Sequence, residues 1–275
     1  MDRMNRMNNL HPLVLATTLL LVAGCGQQSP SQLPAANPVP AAPASSGPVE
    51  SNGSATIFGR VLFKGTPPPS RTIIMTADAF CATAHPTGAP TQTVLVNSNG
   101  TLQNVFVYVK QGLPNRSYPP PRTAISLDQK GCMYTPHVLG VQVGQTLEVR
   151  NSDDTLHNIN AAAVANMPFN TGQPIAGMVY RHIFKTREVM IKVICNVHPW
   201  MVAYVGVLDH PFFGVTGTDG TFLLSPLPAG TYTIEAWHEK YGKLSQTVTV
   251  GEKETKGIDI EFKDAVPTGS NPPGP

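Results

Sequence analysis

From residue 56 onward, short runs in which apolar and polar residues alternate at every second position recur along the chain. Ile57-Phe58-Gly59-Arg60-Val61-Leu62-Phe63, Thr93-Val94-Leu95-Val96 and Val105-Phe106-Val107-Tyr108-Val109 are β-branched and aromatic. They are broken by Gly65, Pro67-Pro68-Pro69, Asn99-Gly100 and Pro119-Pro120-Pro121. Period-two runs between turn residues predict strands, and a chain built from them predicts an all-β sandwich fold. Asn99-Gly100 is the best hairpin signal of this half. Further on, the alternating residues 141–149, 188–194 and 203–208 predict three more strands. Residues 218–224 and 227–234 read as strand, turn, strand, with Asp219-Gly220 and Ala229-Gly230 as turns. Residues 158–187, with Gly172, Pro174 and Gly177, predict a surface loop with little regular structure.

The two ends do not follow this pattern. Arg3 and Arg6 precede an apolar run over residues 12–23, too short to cross a bilayer, which takes about 20 residues as a helix. A basic start followed by such a run is a targeting signal rather than fold. Residues 26–54 are rich in Pro, Ala, Ser and Gln and bury too little to order themselves, so they predict a disordered tether. The Pro- and Gly-rich residues 265–275 predict a disordered tail.

Composition narrows the function. The 275 residues allow one or two domains, and 13% charged residues is low for a globular protein. A net charge of +2 gives no electrostatic case for nucleic acid. No phosphate loop, dinucleotide motif or base-stacking motif is present, so neither nucleic acid nor nucleotide is an expected partner. The catalytic signatures of serine hydrolases, zinc peptidases and haem proteins are absent too, and no enzyme is expected.

The chemistry is concentrated in Cys195-Asn196-Val197-His198-Pro199-Trp200-Met201, which places a thiolate, an imidazole and a thioether at i, i+3 and i+6. Asn151-Ser152-Asp153-Asp154-Thr155-Leu156-His157-Asn158 offers a second imidazole behind an alternating strand. A lone Cys is more often a small buried hydrophobe than a ligand, so the conjunction carries the assignment. His157, Cys195, His198 and Met201 together are the ligand set of a trigonal copper site with a weak axial thioether. Zinc is the rival for Cys and His; Met argues against it. A four-ligand set of this kind leaves no open position for a substrate.

These residues resemble the cupredoxins, the small blue copper electron carriers. Pro136, Val141 and Gly144 match the family's Pro-x-x-x-x-Val-x-x-Gly strand, His157-Asn158 its His-Asn, and Cys195, His198 and Met201 its Cys-x-x-His-x(n)-Met loop. The two residues between His198 and Met201, with Pro199 after the ligand, resemble the short loop of amicyanin. Asn196 departs from the small residue common after the Cys. The resemblance implies a cupredoxin-like Greek-key sandwich over residues 133–211 holding one type 1 copper. It also implies an exposed His198 edge, at the centre of an apolar patch where a redox protein partner docks.

Two further resemblances concern the rest of the chain. Leu21-Val22-Ala23-Gly24-Cys25 is similar to a bacterial lipoprotein signal over residues 1–25, with Cys25 lipidated. That implies a chain tethered to the periplasmic face of a membrane, the outer membrane being favoured by Gly26; an ordinary cleaved signal peptide is the alternative, and either is exported. Residues 212–264 resemble the carboxypeptidase regulatory-like, transthyretin-like modules, a small second β-sandwich whose opening strand would be Gly59-Arg60-Val61-Leu62-Phe63 in the N-terminal β segment, residues 55–132. The copper segment is then inserted within, or packed against, one sandwich. His238-Glu239 reads as a solvated strand end. With Cys25 and Cys195 assigned, export favours a disulfide between Cys81 and Cys132; a second metal site with His85 and His137 is the alternative. The function implied is a membrane-tethered carrier of single electrons, with copper storage, delivery or sensing, or a structural or adhesive β module, as the other readings.

Overall fold

The computed structural model describes residues 54–264. The expected signal segment with Cys25, the tether up to residue 53 and the tail lie outside the described residues. Among the described residues the protein is almost wholly β, as its alternating patterns require.

One sandwich is made from both ends of the described chain. Strand β1 (Ala55–Lys64) buries every second residue, among them Ile57, Val61 and Phe63. It is the centre of a three-stranded sheet, antiparallel to β15 (Thr221–Leu227) and parallel to β18 (Thr255–Lys263). The facing sheet runs β14 (Phe213–Val215), β4 (Phe106–Gln111), β16 (Gly230–His238), β17 (Gly242–Val250). Their inner faces share one apolar core that includes Val107, Val109, Leu224, Tyr232, Ile234 and Phe262. Residues 212–264 are therefore not a sandwich of their own. β15 and β18 pair only through β1, and β16 takes β4 as its second partner, so strands from the expected 55–132 segment complete both sheets. The 93–96 run makes no strand; it contributes a single bridge, Val96 to Leu102, around the Asn99-Gly100 turn.

Between β4 and β14 the chain builds a second sandwich. A five-stranded sheet has the order β10 (Phe169–Gln173), β9 (His157–Ala161), β12 (Glu188–Ile194), β13 (Val202–Leu208), β7 (Val138–Gln142). The opposing four-stranded sheet runs β11 (Val179–Ile183), β8 (Thr146–Asn151), β5 (Ile125–Lys130), β6 (Met133–Thr135). Because β5 pairs with β6 and β8, this sandwich begins before residue 133, the expected boundary. Residues 158–187 are not the expected irregular loop: most of β9 and all of β10 and β11 lie in them. The alternation Tyr180, His182, Phe184 was a strand signal. Its residues pack on Phe169, whose ring centroid is 4.2 Å from that of His182.

The two sandwiches meet at Phe106, Tyr108, Val138 and Leu208, with Tyr204, Phe213 and Trp237 packed around them. Glycine is required here: a Cβ on Gly206 would lie 2.6 Å from Phe106, and one on Gly140 2.3 Å from Phe213. His137 donates across this junction to Glu239, and His238 is buried against Tyr241. In place of the solvated strand end expected for His238-Glu239, His238 is buried against Tyr241 and Phe262 of its own sandwich, and the half-buried Glu239 pairs with His137 of the other.

Candidate metal centre

Strand β9 starts on His157, and β12 ends one residue before Cys195, so the two strands deliver both ligands to the same end of their sheet. The loop after β12 is closed by its own backbone: Met201 N–H donates to His198 O, and Cys195 N–H to Met201 O. It returns directly into β13. His157, Cys195, His198 and Met201 are all buried, each no more than 1% exposed.

The ligand atoms converge. His157 Nδ1 is 2.9 Å from His198 Nδ1, and Cys195 Sγ is 3.8 Å from His198 Nδ1. Two backbone N–H groups, of Asn158 and His198, donate to the sulfur at 3.5 and 3.4 Å. Asn196 does not act on the sulfur by its side chain; its Oδ1 accepts from Asn160, and its backbone N–H donates to Asn158 Oδ1. Met201 is buried in the same apolar cluster as Cys195.

Electrostatics prepares these donors. Burial works against a thiolate at Cys195, but His157 and the backbone amides of Asn158, His198 and Val197 outweigh it and lower the thiol below its usual range. Burial also works against a charged His157, yet Asp153 and the Cys195 sulfur push it up to about 9. Burial and the charge on His157 lower His198.

Each imidazole has an occupied outer nitrogen. His157 Nε2–H donates to Asp153 at 2.9 Å. His198 Nε2 lies 3.5 Å from Asp78 and 3.7 Å from Cys81 Sγ. Once His157 Nδ1 gives up its proton, as metal binding requires, two Nδ1 lone pairs and the Cys195 sulfur face one another. That donor set fits copper, and residues 157, 195 and 198 form the one group of His and Cys side chains among the described residues with converging ligand atoms and no disulfide sulfur.

Among the described residues, the cysteines outside the centre are paired. Cys81 and Cys132 form a disulfide across 51 residues. A second metal site is overturned: His85 Nε2–H donates to Gly131 O, and His137 turns away to Glu239.

One expectation is corrected. His198 is not an exposed edge; it is 1% accessible. The segment containing β2 (Thr72–Ile73), α1 (Ala79–Ala84) and β3 (Ala89–Pro90) lies over it, held by the disulfide and by Thr155 Oγ–H donating to Asp78. Trp200 packs on the same imidazole, 5.1 Å between ring centroids, and its Nε1–H donates to Cys132 O. Nothing in residues 72–90 announces this cover, because its contacts reach more than a hundred residues along the chain. Asp78 and Asp153 were likewise not singled out in the sequence; the only signal was the polar turn that contains Asp153.

The second sandwich is all-β, with facing sheets of five and four strands. No protein-family model matches the chain, and no curated protein matches it. Among solved structures, the chain is similar to a Cu-containing nitrite reductase (NirK) from Thermus scotoductus SA-01, at 22% identity and TM-score 0.31, over 37% of this chain and 26% of that one. It is similar to a purple cupredoxin from Nitrosopumilus maritimus, at 27% identity and TM-score 0.26, over 30% of this chain and 97% of that one. A reduced amicyanin variant is similar at 26% identity and TM-score 0.28, over 30% of this chain and 81% of that one. This chain thus spans about a quarter of the nitrite reductase, 26% of its length.

Proposed function

We propose that the protein is an exported, membrane-tethered type 1 copper protein that carries single electrons between redox partners. The observation that carries this reading is the convergence of His157 Nδ1, His198 Nδ1 and Cys195 Sγ in one buried pocket. Bound there, copper supplies a one-electron couple. His157, Cys195 and His198 would hold it, with Met201 as a weaker fourth donor. The protein's own part is to keep the donors in place: two sheets, a closed loop and outer hydrogen bonds leave the ligands little freedom to rearrange between oxidation states.

The covered His198 changes where a partner would dock. Leu156 and Val197, each beside a ligand imidazole in the chain, are exposed apolar side chains, and Pro199 is exposed next to Trp200. Docking on this loop would place a partner against the Trp200 ring that packs on His198. The same cover favours a second reading, in which copper is stored or delivered rather than cycled. The tether would be lipidated Cys25, outside the described residues. No helix of the described residues is long and apolar enough to cross a membrane.

The copper-loaded protein should show intense visible absorption from the thiolate and reversible one-electron cycling. Cys195→Ser should abolish the colour, and Met201→Leu should keep it but raise the reduction potential, since a weak donor to Cu(II) is lost. Copper uptake with colour but no reversible cycling would favour storage; uptake of zinc alone under copper excess would refute both.

A further inference from the structure

Both outer carboxylates of the centre are anchored to the same disulfide. Gly131 and Cys132 form the turn between β5 and β6, with φ of 60° and 55°, the left-handed pair of a type I′ hairpin. Successive N–H groups in such a turn point to one side and make a concavity for an anion. Both donate to Asp153, at 2.7 Å each. Across the disulfide, Cys81 N–H donates to Asp78 Oδ1 at 2.9 Å. Asp78 Oδ2 accepts from Thr155 Oγ1 at 3.0 Å and faces His198 Nε2. Each half of the disulfide therefore fixes one carboxylate, and each carboxylate meets the outer nitrogen of one ligand imidazole. Cys132 is a non-glycine residue in a conformation that side chains avoid, and such positions persist where the surroundings over-determine them, often at functional sites.

We propose that Asp153 and Asp78 are positioning residues for the copper imidazoles, and that the Cys81–Cys132 disulfide holds them as a matched pair that biases the centre toward Cu(II). This rests on the copper reading above. A carboxylate on the far nitrogen fixes the ring and its tautomer and makes the ligand nitrogen more basic. Two negative charges close to the metal favour its higher charge state, and burial weakens their screening. Asp153 carries the larger share. It is nearly inaccessible and makes a 2.9 Å hydrogen bond, whereas Asp78 stands 3.5 Å off on a partly open segment.

The test uses the full chain and measures Cu(II) and Cu(I) affinities separately, together with the midpoint potential. Asp153→Asn should weaken Cu(II) binding by about tenfold relative to Cu(I), within the range such outer partners show. For a one-electron couple that raises the potential by about 59 mV. Asp78→Asn should shift it in the same direction by less. Equal loss of both affinities, with the potential unmoved, would mean a purely structural role and overturn the proposal. Should Asp153→Asn fail to fold, Asp78→Asn and Thr155→Val give the same readout from the covering segment. An independent measurement is the Nε2 proton of His157 in the metal-free protein. It should give a slowly exchanging resonance that Asp153→Ala loses. Its absence from the wild-type protein overturns the positioning whatever the metal does; its presence in a protein that takes up no copper refutes the copper reading alone.

Discussion

Removing the disulfide by Cys81→Ser with Cys132→Ser should cost stability and uncover the metal centre together. The bridge closes a loop of 51 residues, and restricting the unfolded chain by a loop of that size is worth about 4 kcal/mol at 25 °C in the chain-entropy account. Both cysteines are fully buried, in a small cluster with Met75 and Ala89. Serine hydroxyls placed there without partners add about 1 kcal/mol. Without the bridge, the segment over His198 is held to the second sandwich by few polar contacts, chiefly His85 to Gly131 O and Thr155 to Asp78. At about 1 kcal/mol each, these leave a segment that opens readily. Urea unfolding of the metal-free protein, oxidised wild type against the double variant, measures the first effect through the midpoint, with the slope compared. The second is read in a Cys25→Ser background as faster reaction of Cys195, the free cysteine of the described residues, with a thiol reagent. A loss below about 1 kcal/mol, far under the chain-entropy value, with Cys195 no more reactive, would refute the idea that the bridge clamps the cover.

Acid should weaken the protein before its carboxylates titrate. Burial lowers His210 and His238 to about 4, so the unfolded chain takes up these protons from pH 6.5 downward while the folded chain does not. The stability that these two groups contribute is fully present above pH 6.5 and is lost as pH falls toward 4. By pH 5 the loss is about 2 kcal/mol for each histidine. Urea midpoints at pH 7 and pH 5 check this, and equal values would contradict the buried neutral state. Gly206→Ala should cost about 1–3 kcal/mol, because the added methyl meets the fully buried Phe106 at the junction of the sandwiches. An unchanged thermal midpoint would show that the junction can yield.

The local features of this protein were legible in its sequence. Strand β1 alternates over its whole length, and β12 and β13 appear as apolar runs on either side of Cys195, His198 and Met201. A ligand loop of seven residues carries its own chemistry, because spacing alone brings its donors together once a strand stands at each end. Period and turn chemistry are properties of neighbours, and neighbours are what a sequence displays. What the tertiary structure decided are pairings between distant residues. β1 joins β18 at the other end of the chain, so residues 55–132 and 212–264 share one sandwich. Cys81 reaches Cys132, and Asp78, 120 positions before His198, is carried onto its imidazole. These contacts depend on how two sheets close around the ligands, and no local pattern encodes that closure. The resemblance implied an exposed His198, and the structure buries it because the residues that cover it come from a stretch whose composition marks neither strand nor site.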